Sequence, residues 1–559
     1  MNEAMLPQRH NQFVFAAATV ALLGLSSLAR AQTARGDVTA SGYRIAGTVV
    51  SKTDGHPLSR ARVVLADVKD QRNPRSVITG DNGSFVFSGL ATGKYSLLGA
   101  KRGFNNAYYD QHGPYSTAIV TGANLDTEHL FLRLTPGAYI LGRVLDENEE
   151  PVRRANVNLY IVNHEEGASR VVRNRDAVTD DRGAFELGPL IPGTYYVSVR
   201  AEPWYAVHPP QKAEPAVRQV PPHVDPALDV AYPVTYYGDA TNADSAASIR
   251  VLGGERLEAD VHLAPVPALH LLFHVPQSGA NFSSPPQLWQ SGFDEDSVLP
   301  GVSPRMVSPG VWELSGVPQG TYRVGIFGGP NQQEPSSAEV SATTDGQDVD
   351  TSDTQALATV KVSVQLLGEK TIPSSLAVGL RVPRGNVRSW SKVDAKGEAQ
   401  LQVAPGRYEV ISWNFGKPYG IAHIAAEGCE LSGHVVNIDS GSAPAISLTL
   451  AAGVGTVEGI VRHGDKALAG AMVVLVPNDP GGHLDLFRRD QSDFDGSFSV
   501  HNVVPGAYTI LAIDDGWDMD WSRPEVIAPY LQRGQTISVS GEDSGTVEVP
   551  HAVEAQPKM

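Results

Sequence analysis

Apolar residues along this chain recur at every second position in short runs, the signature of half-buried strands, and hold no helical spacing over any long stretch. One pattern returns five times: "DNGSFVFSGLATGKYSL" (81–97), "DRGAFELGPLIPGTYYV" (181–197), "SPGVWELSGVPQGTYRV" (308–324), "DAKGEAQLQVAPGRYEV" (394–410) and "FDGSFSVHNVVPGAYTI" (494–510). Each copy opens with a Gly-containing turn, passes through an alternating run, crosses a Pro or Gly loop and enters a second alternating run at Gly-x-Tyr, which predicts strand, turn, strand. In the first run Phe85 and Phe87, Phe185 and Leu187, Trp312 and Leu314, or Phe498 and Val500 share one face of the pleat, leaving Glu186, Glu313 and Ser499 on the other. The second run places Tyr95, Tyr195, Tyr322, Tyr408 and Tyr508 at the buried start of a strand, with the glycine two residues earlier taking a positive φ as the chain turns in. The fourth copy carries Ala399 and Leu401 in place of the aromatic pair, so its hairpin is expected to pack more loosely.

Upstream of three copies, "IAGTVVSKTDGHPLSRARVVL" (45–65), "ILGRVLDENEEPVRRANVNLY" (140–160) and "VEGIVRHGDKALAGAMVVLV" (457–476) supply opening strands. Downstream, "STAIVTGANLDTEHLFLRL", "ASIRVLGGERLEADVHL" and "QTISVSGEDSGTVEV" supply closing ones. About seven short strands per roughly 100 residues predict an all-β chain, a tandem array of about five antiparallel, transthyretin-like or Ig-like β-sandwiches. The boundaries read as a leader over 1–31, a linker over 32–42, and sandwiches over 43–136, 137–265, 266–355, 356–452 and 453–550, the third and fourth degenerate. A Pro-rich semi-extended insertion falls near 202–237, a flexible tail over 551–559, and the basic run Arg170–Arg175 reads as a solvated loop.

The order Gly-x-Val, turn, Ala-x-Val, Asp-x-x-Gly-x-Phe or a near form, then Pro-Gly-x-Tyr resembles the carboxypeptidase regulatory-like domain, a transthyretin-like sandwich grouped with carbohydrate-binding-like folds. The match is good for the first, second and fifth units and weak for the third and fourth, which lack the Gly-x-Val block. What the resemblance implies is a fold and an extracytoplasmic setting, since such domains accompany peptidases, adhesins and outer-membrane receptors without supplying catalytic residues.

Composition narrows the function classes. The chain is 42% hydrophobic, and its 55 glycines and 39 prolines in 559 residues stay below the roughly 25–30% of low-complexity disorder. A net charge of −17 argues against nucleic acid, whose phosphates draw on clustered Lys and Arg. The single cysteine, Cys429, forbids an intrachain disulfide and reads as a small core residue. Phe13 to Ala29, an uncharged apolar run after Arg9, followed by the small-x-small Ala29–Ala31, predicts a cleaved signal peptide and a mature chain starting at Gln32, secreted or in the cell envelope. No comparable run follows, so no membrane span is expected in the mature chain.

No metalloprotease, nucleophile-elbow or phosphate-loop pattern is present, so no catalytic residue, cofactor or metal is assigned. His270 and His274 in "HLLFH" lack the glutamate of a zinc helix and read as strand residues, and the Asp-Gly turns read as hairpin turns in preference to calcium loops. One constellation favours binding. An aromatic follows three of the repeat tyrosines by nine residues, as Phe104, Trp204 and Trp517, and in "DDGWDMDWSRPEV" Trp517 and Trp521 alternate with Asp518 and Asp520. Aromatic faces stack on sugars and carboxylates accept their hydroxyls, so these four residues form a candidate carbohydrate site, with Trp517 also readable as a cap on the core and Trp521 as the exposed member. The functional expectation is a non-enzymatic scaffold or binding protein, its partner an envelope protein or polysaccharide. The alternatives are a carbohydrate-binding accessory protein and an enzyme whose site no motif reveals.

Overall fold

The computed structural model describes residues 42–209, 225–275, 285–293, 295–326, 336–350, 357–383, 385–415, 419–453, 455–481, 483–540 and 545–559. The architecture is all-β, with one α-helix, Pro524–Leu531, among those residues.

One arrangement recurs. Strand Tyr43–Ser51 lies antiparallel to Ser84–Leu90 and parallel to the closing strand Leu130–Leu134, and faces a second sheet in which Arg62–Asp67 runs between Arg75–Ile78 and Gly93–Ala100. The same pairings hold for Ala138–Leu145 with Ala184–Leu190 and Arg256–Glu258, opposite Asn156–Asn163 between Arg170–Val178 and Gly193–Arg200. They return for Leu269–His274, Ala358–Leu366 and Gly455–His463, including in the two stretches that lack the Gly-x-Val block. The closing strand pairs parallel each time, so the sheets are mixed and not purely antiparallel. Between the sheets sit cores whose members span Ile45–Leu134, Ala138–Leu263, Val234–Val349, Ala358–Leu450 and Val457–Ala555.

The repeat itself is explained by two contacts. In each copy the turn glycine's carbonyl accepts the amide of a valine at or just past the end of the first strand: Gly83 from Val49, Gly183 from Val144, Gly310 from Val275, Gly397 from Val364 and Gly496 from Val461, at 2.7–2.9 Å. These glycines are the ones at positive φ, from 69° to 86°. At Gly83, Gly183, Gly397 and Gly496 a Cβ would stand 2.4–2.8 Å from the same valine's carbonyl oxygen. Then each tyrosine hydroxyl donates to the carbonyl four residues earlier, Tyr95 to Ala91, Tyr195 to Ile191, Tyr322 to Pro318, Tyr408 to Ala404 and Tyr508 to Val504, at 2.7–3.1 Å. This is the tyrosine corner that locks a loop onto a sandwich. Burial pushes the phenols of Tyr195 and Tyr508 up to about 12, which keeps them protonated as donors. The glycine of Gly-x-Tyr takes the expected positive φ in one copy, Gly406 at 153°. In the other four, Gly93, Gly193, Gly320 and Gly506, it does not; the tyrosine ring folds back over the glycine, and a Cβ would press on it at 3.1–3.3 Å at Gly320, Gly406 and Gly506 but meet it at ordinary contact distance at Gly93 and Gly193.

The expected inward faces hold, with Phe85, Phe87, Phe185, Leu187, Trp312, Leu314, Phe498 and Val500 all buried. Other expectations are corrected. Glu313 is buried and not on a wet face, because the short strand Val230–Ala231 of the Pro-rich stretch lies against strand Val311–Val317. That stretch is not a simple excursion: Tyr232 packs in the second core and Val234 and Tyr236 in the third, while 210–224 fall outside the described residues. Arg170–Val178 is a strand. Residues 551–559 are no loose tail, for Val553–Pro557 pairs parallel with both Gly455–His463 and Gly506–Asp514, burying Val553 and Ala555. Cys429 is half-buried against the fourth core, and burial raises its thiol pKa. No helix among the described residues is long and apolar enough to cross a membrane; the apolar run 13–29 and its cleavage site lie outside them.

Candidate functional site

Strand Gly506–Asp514 ends at Asp515, whose φ of 52° swings the chain into the Trp517–Trp521 segment. Trp517 is half-buried. Its Nε1 donates to Gly470 O at 3.1 Å, and its ring lies against His112 at 4.8 Å and 4° and against Tyr115 at 5.7 Å. It therefore caps a contact between the fifth and first cores.

Trp521, expected to be exposed, is buried at 6% exposure. The cause is the helix Pro524–Leu531, opened by a proline and carrying Ile527 and Tyr530 inward. With Phe487 and Trp521 these cover the outer face of strand Met472–Pro477, burying Met472, Val474 and Val476 on the side opposite the core. Period-2 reading missed the helix because its eight residues supply little more than two turns of pattern.

Both aspartates are engaged. Asp518 pairs with Lys558 of the C-terminal segment, and that hydrogen bond holds its carboxyl below the usual range. Asp520 accepts the amide and hydroxyl of Ser169 at 2.6 and 2.8 Å and lies 3.2 Å from His164 Nδ1. Burial works against its charge, but the hydrogen bonds from Ser169 and His164 outweigh it and hold the carboxyl low. Ser522 completes this seam to the second core by donating from both N and Oγ to Gly167 O. The structure thus directs all four candidate residues onto other parts of the same chain, Trp517 onto Gly470, Asp518 onto Lys558, Asp520 onto Ser169 and Trp521 onto Phe487.

The seam with the first core reuses the last repeat's turn. Asp493 accepts Lys94 Nζ at 2.6 Å and Ala118 N at 2.9 Å, Phe494 N donates back to Ala118 O, and Gln491 Nε2 reaches Asp110 O and Thr117 Oγ1. Sequence reasoning missed these partners because they stand 374 to 399 residues apart and carry no pattern.

Beside the junction opens a cleft of about 350 Å³ lined by Tyr115, Glu165, Phe487, Arg488, Arg489, Asp490, Ser499, His501, Asn502 and Trp521. The Arg489 guanidinium sits 4.4 Å from the Trp521 ring centre and 5.2 Å from that of Tyr115, and donates to Glu165 O at 2.9 Å. Burial lowers the pKa of Arg488 and Arg489 and pushes Asp490 up to about 6, although Ser499 N–H donates to it at 2.7 Å. With the native pKa raised, the unfolded chain releases this proton first. Stability is therefore lost as pH climbs from about 4 to about 6 and stays lost above. Asp490→Asn is expected to leave stability unchanged at pH 3.5 and to raise it by about 3 kcal/mol at pH 8, read from urea unfolding at the two pH values. An equal effect at both would overturn this account.

The nine-residue aromatic offset does not mark one role: Phe104 packs on the first core, whereas Trp204 is 84% exposed. His270 is buried with Nδ1 3.0 Å from Asp345, and His274 is exposed, 3.2 Å from Asp348. In the Asp-Gly turns Asp180 accepts Arg182 N and Ala184 N, while Asp493 accepts Lys94 Nζ and Ala118 N.

Residues 44–122 match the family model of the carboxypeptidase regulatory-like domain, so the first sandwich has the class that its residues resemble. A search of curated proteins found no match. Among solved structures, the chain is similar to the Bacillus anthracis TIE protein, with 12% identity over 75% of this chain and 76% of that one and a TM-score of 0.18. It is also similar to a streptococcal ancillary pilin, with 10% identity over 55% and 98% and a TM-score of 0.18. The minor pilin GBS52 of Streptococcus agalactiae shows 12% identity over 43% and 100%, with a TM-score of 0.20. Likeness of this degree carries no inference about activity or partners.

Proposed function

We propose that this chain is a non-enzymatic, exported scaffold that presents a fixed set of β-sandwich surfaces to a cell-envelope partner. The observation that supports it is the three-way junction, where Asp493 and Asp520 of the last repeat fasten the first and second sandwiches, so that groups suited to chemistry hold the array in one shape. Protein exported by its natural host should begin at Gln32 by intact mass, give no turnover on peptide and glycoside panels, and retain an envelope protein in affinity capture. Turnover abolished by Asp490→Asn, the group in the cleft poised for acid–base work, would replace the scaffold with an enzyme.

A second reading is a polysaccharide-binding accessory, favoured by the cleft, where the half-buried ring of Tyr115 stands beside hydrogen-bonding Ser499, His501 and Asn502. Titration with envelope and plant-type polysaccharides decides between them: binding weakened by His501→Ala supports the accessory, and no binding leaves the scaffold.

A further inference from the structure

At the seam between the fourth and fifth sandwiches three potential ligands converge. His434 sits in the hairpin turn between strands Glu430–Ser432 and Val435–Ile438, where its own carbonyl accepts Val410 N at 2.8 Å and its side chain is 3% exposed. His483 and Asp485 belong to the 3-10 turn Leu484–Leu486 that follows strand Met472–Pro477, and this turn packs against strand Tyr419–Glu427 of the fourth sandwich. His434 Nδ1 lies 2.8 Å from Asp485 Oδ1, and its Nε2 lies 3.2 Å from His483 Nδ1, with the two rings 4.8 Å apart and nearly perpendicular.

We propose that His434, His483 and Asp485 form a binding site for a divalent transition cation of the zinc class, which ties the fourth sandwich to the fifth. Two observations carry this. One ligand atom from each of the three residues lies within 4.8 Å of the others. In addition, His434 Nδ1 and Asp485 Oδ1 are buried and close, yet neither makes a hydrogen bond of acceptable geometry. A buried polar pair in contact but not hydrogen-bonded is costly unless a third group satisfies both. Donor atoms on one zinc, each about 2.0–2.2 Å from it, stand about 3–3.5 Å apart. An ion on His434 Nδ1 needs its 2.8 Å separation from Asp485 Oδ1 to open by about a few tenths of an ångström, while the contact with His483 falls on the other nitrogen, Nε2, and so is not itself a ligand separation. The wider separation to His483 closes by a swing of that residue, which is half-buried and follows Pro480, Gly481 and Gly482 in the sequence.

The donor set selects the metal. Two imidazoles and one carboxylate suit zinc, cobalt or nickel, whereas calcium and magnesium require shells of oxygen. Three protein ligands leave a fourth position to water. A faint signal lies in the His-x-Asp of "HLDL", but His434 stands 49 residues upstream in another sandwich. A wholly different alternative is a plain Asp–His–His contact that holds no ion.

The test uses the full mature chain without a histidine tag, stripped with a chelator. Calorimetric titration with zinc should show one tight site per chain, and cobalt should give the visible absorption of a low-symmetry site. His483→Ala, a half-buried position, should fold like the parent by circular dichroism and bind at least about 100-fold more weakly, since even losing an outer partner of a ligand costs 10–100-fold. Asp485→Asn should weaken binding as well, while His56→Ala, an exposed histidine paired only with Asp54, should not. Zinc should raise the unfolding temperature of the parent and not of His483→Ala. Absence of a tight site, or equal affinity in the parent and His483→Ala, would overturn the proposal.

Discussion

Tyr195→Ala is expected to destabilise the second sandwich by about 3–5 kcal/mol, the scale of truncating a buried aromatic. Tyr195 is 1% exposed, packs among the buried residues of the second core, and bonds to Ile191 O at 2.8 Å. Removing the ring opens a cavity that strands 138–145 and 193–200 cannot close without breaking register, and frees the loop that the hydroxyl pins. Tyr195→Phe separates the two contributions: it keeps the ring and should cost about 1 kcal/mol, the net worth of one hydrogen bond. Hydrogen exchange read by mass spectrometry should show protection lost over 138–263, with some spread into the third sandwich, because Phe293 packs on Tyr160, Tyr196 and Tyr236. The fifth sandwich should keep its protection away from its seam at Ser169 and Gly167. Protection lost evenly along the chain would mean that the sandwiches share one cooperative unit.

Trp521→Ala is the second large effect, at about 3–5 kcal/mol, and here the structure reverses the sequence expectation of a surface residue worth no more than about 0.5 kcal/mol. The indole fills the space between Phe487, 5.7 Å away, and the helix carrying Ile527 and Tyr530, and carries the Arg489 guanidinium on its face. Its loss uncovers the outer face of strand Met472–Pro477 and leaves Arg489 without one of its aromatic partners. Thermal and urea unfolding of the full chain should show the fifth sandwich melting first, with Trp521→Phe intermediate. A change within 0.5 kcal/mol would restore the exposed reading of Trp521.

Local pattern determined a good deal of this protein. Alternation decides which side chains enter a core whenever one face of a strand is wet, so Phe85, Phe185, Leu314 and the five tyrosines could be placed without coordinates. The Asp-Gly turns were equally legible, because turn chemistry is local. Tertiary structure decided the rest. At Gly320 and Gly506 the Gly-x-Tyr glycine makes room for a ring that folds back on it, which is side-chain packing, while only Gly406 uses the positive φ that pattern alone suggests. Pattern places Glu313 on the far face of its strand and Trp521 at the surface, but each is covered by a distant or irregular segment, and a period of two says nothing about what lies on the second face. The pairing of Val553–Pro557, the use of Asp493 and Asp520 as fasteners, and the meeting of His434 with His483 all join residues 49 to several hundred positions apart. The first is a long-range pairing within the fifth sandwich and the others depend on how sandwiches dock, and neither leaves a periodic trace in the chain.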